Sequence, residues 1–121
     1  MGAWTTRAWT IGRWITRGWA TPGTAPLAPD GSTACPGDAY GQTKRCLEII
    51  EAAVRELGGT LSHIVRTRLY LTRLDAWPEV ARAHGELFGS IQPAATALAV
   101  SGLIRSDWLV EIEAEAIITQ D

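Results

Sequence analysis

The stretch "WLVEIEAEAIIT", residues 108–119, alternates without a break. Val110, Ile112, Ala114, Ala116 and Ile118 make one apolar face, and Glu111, Glu113 and Glu115 point the other way. Strand side chains alternate between faces, so a period of two spells a half-buried strand. One side of the sheet it belongs to must be covered, and the other must deal with three carboxylates. "LSHIVRTRLYLT" (61–72) makes the same demand, being alternating and rich in β-branched and aromatic residues. Its expected faces are Val65, Thr67, Leu69 and Leu71 on one side, with Ile64, Arg66, Arg68 and Tyr70 on the other. "AATALAVSG" (94–102) reads as a further strand, joined to the last by a short turn.

Two helices can supply the cover. From Ala39 to Leu57 the apolar positions Tyr40, Cys46, Leu47, Ile50, Val54 and Leu57 fall mostly three or four apart. Asp38 is the expected N-cap, and Gly58-Gly59 stops the helix. A second helix is expected after Asp75 as cap, with Pro78 in its first turn and a stripe of Trp77, Val80, Ala81, His84 and Phe88 ending at Gly89. "TPGTAPLAPDGSTACPGD" (21–38) is a loop by its density of Pro, Gly, Ser and Thr. "RAWTIG" and "RWIT" can each give a short strand, as a hairpin turning near Gly12-Arg13. The order β-β-α-β-α-β-β predicts an α+β domain over 1–121, with both helices on one sheet face.

Arg66, Arg68 and the three glutamates then project from the helix-free side. Like charges along a strand repel unless opposite charge or water sits beside them. Either this face is simply wet, or it packs against other subunits with an Arg–Glu network at or near a cleft. Tyr70, Ile64 and the alanines at 95, 97 and 99 would give it an apolar part to bury, which favours the second reading.

With 121 residues, 46% of them apolar and 20% charged, the chain has the composition of a soluble globular domain. Its net charge of −2 gives no general attraction to nucleic acid or anionic lipid. No apolar run approaches the roughly 20 residues of a membrane span, and arginines interrupt any signal-peptide stretch. Cys35 and Cys46 have neither zinc nor disulfide-framework spacing, so the cytoplasm is the expected compartment.

From Gln42 to Ile118 the chain resembles the Rid family, the reactive intermediate deaminases, also called the YjgF or L-PSP family. The resemblance lies in "GQTKRCLEIIEAAV", "HIVRTRLYLTRLDAW", "PAATALAV" and "LVEIEAEAI", in that order, with "GTAPLAPDG" similar to the loop after the family's second strand. It implies a chorismate-mutase-like fold, one mixed sheet with two helices on one face, and a homotrimer whose sheets form a central barrel. Ligand clefts would lie between subunits, with no cofactor and no metal.

Deaminating members carry an arginine two residues after the proline of a "PAR" stretch, where it grips the substrate carboxylate in a bidentate fork. Here the stretch is Pro93, Ala94, Ala95, so that position is Ala95; where many members have a cysteine, this chain has Ala97. The glutamate that positions the hydrolytic water in the family corresponds to Glu111. The water-side carboxylate is kept and the substrate-gripping cation is lost, so hydrolysis of 2-aminoacrylate-type imines is expected to be weak or absent. Arg66 or Arg68 is the alternative cation. The expected ligand-binding set is Gly23, Thr24, Arg66, Arg68, Phe88, Ala95 and Ala97, around Glu111 as the catalytic position.

Other chemistry has less support. His63 and His84 lack a second metal ligand at suitable spacing and read as structural or surface residues. No nucleophile signature occurs, and Gly23, Gly31 and Gly37 are turn glycines rather than a phosphate loop. Trp4, Trp9, Trp14 and Trp19 recur five apart among Arg7, Arg13 and Arg17, a mixture able to stack bases and neutralise phosphates. Members of the resembled family described as ribonucleases or translation inhibitors keep that reading open, although the acidic chain weighs against it. The five-residue period matches neither helix nor strand.

Overall fold

The structure, a computed structural model, describes residues 12–14, 19–21 and 23–118. In chain order it contains β1 (Gly12–Trp14), β2 (Trp19–Thr21), β3 (Gly23–Thr24), α1 (Ala39–Glu56), β4 (Ile64–Leu71), α2 (Trp77–Phe88), β5 (Ala94–Ala99) and β6 (Val110–Ile117). The strands form one mixed sheet in the order β1-β2-β6-β4-β5, with β3 also on β6. All pairs are antiparallel except β4 with β5, which are joined through α2 and run parallel.

The alternation of residues 110–118 does what its period requires. Val110, Ile112, Ala114, Ala116 and Ile118 are buried, while Glu111, Glu113 and Glu115 stay half-exposed. They pack with Leu47, Ile50 and Val54 of α1, Val80 and Phe88 of α2, and Leu69 and Leu71 of β4 in one core. Slipping β6 by one residue would bury three carboxylates, so its register is strongly specified.

Asp38 caps α1 as expected, its side chain accepting from the Gly41 N–H at 3.0 Å. At the other end Gly58 has φ +87°, a left-handed conformation that glycine takes without a Cβ penalty. Gln42 is wholly buried on α1. Its amide donates to Asp107 O at 2.9 Å and accepts from Leu109 N–H at 2.8 Å, fixing the entry to β6.

Four local expectations are corrected. Ile64 is buried and Val65 is exposed, the reverse of simple alternation, because the β4–β6 register shifts between Ile64 and Arg66. Such a bulge rotates one residue out of phase. Asp75 is not a cap: it lies in a 3-10 turn, Leu74–Ala76, that feeds α2 without a side-chain capping bond. Within α2, Val80, Ala83 and Phe88 are buried, whereas Trp77 is exposed at its first turn and Ala81 only half-buried. Gly12 and Arg13 are strand residues opposite Thr21 and Ala20, so the hairpin does not turn there. The structure of Trp4, Trp9, Arg7 and Arg17, on which the nucleic-acid reading leans, lies outside the described residues.

Candidate functional site on the two faces of the sheet edge

On the helix-free face, β4 and β6 bring opposite charges together. Tyr70 is paired with Glu111, Arg68 with Glu113 and Arg66 with Glu115. Arg68 lies 3.8 Å from Glu113 and 3.6 Å from Glu115, and the Tyr70 hydroxyl donates to Glu113. The glutamates are thus held apart by a guanidinium and a phenol. Glu111 is the exception, with no hydrogen bond or ion pair to a described residue. Burial, and then the negative charge of Glu113, push its carboxyl above the ordinary glutamate range. A half-buried carboxyl with a raised pKa and no partner among the described residues is the kind of group that orients water or moves a proton. Arg66 is exposed and makes no ion pair with a described residue.

The other face differs. In β5, Ala95, Ala97 and Ala99 pair with Thr67, Leu69 and Leu71, and Ala94, Thr96 and Leu98 pair with Arg66, Arg68 and Tyr70. Directly paired residues share a face. Ala95, Ala97 and Ala99 therefore lie on the helix side, and the apolar part of the helix-free face comes from Ala94 and Leu98. This corrects the expected placement of the three alanines. All six residues of β5 are exposed, since β5 is an edge strand that neither helix covers. Within one chain Ala95 and Glu111 thus sit on opposite faces, two strands apart.

The remaining expected site residues separate similarly. Gly23 pairs with Glu113 and is half-buried; Thr24 pairs with Ile112 and is buried on the helix side. Its hydroxyl has no hydrogen-bond partner among the described residues. Phe88, expected to touch ligand, is instead a core residue, 2% exposed, closed in by α1 and the sheet. Among the described residues no three His, Cys, Asp or Glu side chains come together as a metal site, and no helix is long and apolar enough to cross a membrane.

One polar group lies outside the expected site residues. His84 is half-buried on α2, with Nε2 2.9 Å from Thr67 Oγ1 and its ring 4.8 Å from that of Phe88. Burial lowers its pKa. The sequence read it as a structural or surface residue because no second metal ligand stands at suitable spacing. What the stripe could not reveal is that Thr67, its partner, is the β4 neighbour of Ala95.

Comparison with known proteins adds a family. Residues 4–118 match the family model described as endoribonuclease L-PSP. A RutC family protein of Pyrococcus abyssi is 36% identical over 94 residues, covering 78% of this chain and 73% of the relative. A 3-aminoacrylate deaminase, RutC, of Acinetobacter baylyi is 30% identical over 94 residues, covering 78% and 74%. Among solved structures, a member of the YjgF/YER057c/UK114 family from Mycobacterium tuberculosis superimposes with a TM-score of 0.75 at 35% identity, over 86% of this chain and 82% of that one.

Proposed function

Because the chain belongs to the endoribonuclease L-PSP family, we propose that it binds a small metabolite in clefts between subunits and lacks the usual 2-imino acid deaminase activity. The observation that carries the reading is Ala95, which stands where a deaminating member has the carboxylate-gripping arginine. Removing one partner of such a charge-assisted pair costs on the order of 2–5 kcal/mol. Arg68 is an unpromising substitute, being engaged by two glutamates. Both it and Arg66 pair with β5 residues of the face opposite to Ala95.

Two observations support a homotrimer with inter-subunit clefts. The exposed edge β5 offers unpaired backbone and small side chains to a neighbour. Glu111, with its raised pKa, faces away from Ala95, so a cleft using both positions takes them from different chains. Cys35 and Cys46 are both free thiols, as suits the cytoplasm. In this reading Glu111 orients water or a polar ligand group, and the vacated arginine site receives something less anionic than a carboxylate.

The test is hydrolysis of imines generated in situ from small amino acids by an amino-acid oxidase. The native protein should barely exceed buffer. Fast turnover would overturn the reading and redirect attention to Arg66. Sedimentation should show a trimer; a stable monomer at micromolar concentration would remove the inter-subunit cleft.

A further inference from the structure

The helix side of β5 is a shelf of three alanines whose inner wall carries His84. One strand spacing, about 5 Å, separates Ala95 from Thr67, and Thr67 holds the His84 ring at 2.9 Å. We propose that the His84 imidazole, held by Thr67, is the polar group that receives the ligand on this shelf, and that the ligand offers it an uncharged hydrogen-bonding group, an amide or carbonyl, rather than a carboxylate. The inference rests on the cleft reading above and deepens it by naming the ligand class.

Three observations carry it. First, the ring is anchored at one nitrogen only. Nε2 engages Thr67, whereas Nδ1 has no hydrogen bond to a described residue and is not among the buried unpaired polar atoms. A fixed ring with one free nitrogen presents one directed donor or acceptor, set by the tautomer that the Thr67 bond selects. Second, within one protomer the described residues seen against the ring are uncharged. Its hydrogen-bond partner is Thr67 from β4 and its ring contact is Phe88 from α2, and Arg66 and Arg68 of the same protomer belong to the other face. Third, desolvation favours the neutral imidazole. A neutral ring does not neutralise a carboxylate, and burying an unpaired anion against alanine is costly. An amide or carbonyl meets neither penalty. Thr67 acts here as a positioning residue.

Pyruvamide and pyruvate are nearly isosteric probes that differ in this charge, and neither is consumed by hydrolysis of an imine. Binding is followed by NMR on the native protein through the His84 ring nitrogens and the backbone amides of Ala95 and Ala97. Pyruvamide should move both sets of signals, and pyruvate should bind several-fold more weakly. His84→Ala should weaken pyruvamide about tenfold, the size of one hydrogen bond. Thr67→Val, which keeps the shape of the core, should shift the His84 Nε2 resonance and weaken binding in the same direction. Tighter binding of pyruvate, or unchanged pyruvamide binding in both variants while the Ala95 and Ala97 amides still respond, would overturn the role of His84 and leave the cleft standing. If neither probe moves the Ala95 and Ala97 amides, the cleft reading fails and this inference falls with it.

Discussion

Ala95→Arg should create imine hydrolysis, and the new site should be shared between two chains. Residue 95 lies on the helix side of β5 and Glu111 on the opposite face of β6, with β4 between them. Two strand spacings of about 4.8 Å each, the three-residue offset from Thr67 to Tyr70 along β4 and the sheet itself separate the two within a protomer. Ala95 is exposed, so the longer side chain enters solvent and should change folding by no more than about 0.5 kcal/mol. A charge-assisted fork on a carboxylate is worth roughly 1.5–3 kcal/mol, or about 10- to 100-fold in kcat/KM. The assay is the rate at which an imine, trapped as its semicarbazone, disappears. Adding Glu111→Gln to the same chain should abolish the gain. Mixing that double variant with native chains, by joint unfolding and refolding, should restore about a quarter of the Ala95→Arg activity. In a random mixture roughly one neighbouring pair in four combines the introduced guanidinium with an intact Glu111. Silence in the mixture, with Ala95→Arg itself active, would refute the inference from register and put the site within one chain. A folded trimer of Ala95→Arg without activity would mean that the cleft has diverged by more than one residue.

Gln42→Ala should be the most damaging polar substitution in α1. It deletes three hydrogen bonds, a long one to Cys35 O at 3.5 Å and two that leave Asp107 O and Leu109 N–H stranded at the mouth of β6, a loss of about 2–4 kcal/mol. Thermal unfolding by circular dichroism should fall by about 4 °C per kcal/mol, and a loss below about 1 kcal/mol would deny the bonds their structural role. Glu111→Gln should stabilise the protein at neutral pH. Folding raises this carboxyl's pKa, so the native state holds its proton more tightly than the unfolded chain. Its effect on stability is therefore least adverse below the ordinary glutamate pKa and becomes unfavourable as pH rises through the folded value. The advantage of the variant should vanish in acid; an advantage of equal size at all pH values would contradict the sign.

The core was legible wherever a period was clean. The apolar residues of 110–118, the stripe of α1 and the Asp38 cap each follow from local chemistry that nothing distant overrides. The α2 entry failed because Asp75 had the composition of a cap but sits in a preceding 3-10 turn. Ile64 failed because a bulge is a property of two strands in register, and the sequence of β4 alone does not contain the shift at Arg66.

The facing of the β5 alanines was misread for a related reason. The phase of a strand is read from contrast between alternate side chains, and "AATALA" offers almost none: alanines occupy both parities and all six positions are exposed. Its phase comes only from pairing with β4, where Thr67, Leu69 and Leu71 are buried and Arg68 and Tyr70 are not. That pairing moves Ala95 away from Glu111 and sets it beside the Thr67–His84 pair. A strand in which large residues alternate cannot lose its charged gripping residue without exposing the gap. A strand of alanines can, because each position is already small, and the polar recognition then falls to whatever the next strand and the covering helix hold behind it. Behind β5 that is His84, fixed at one nitrogen by Thr67 and without a hydrogen bond to a described residue at the other. If His84 receives the ligand as proposed, Ala95 in place of arginine amounts to a move of the polar contact from the edge strand to α2, with a change in the charge of the ligand accepted.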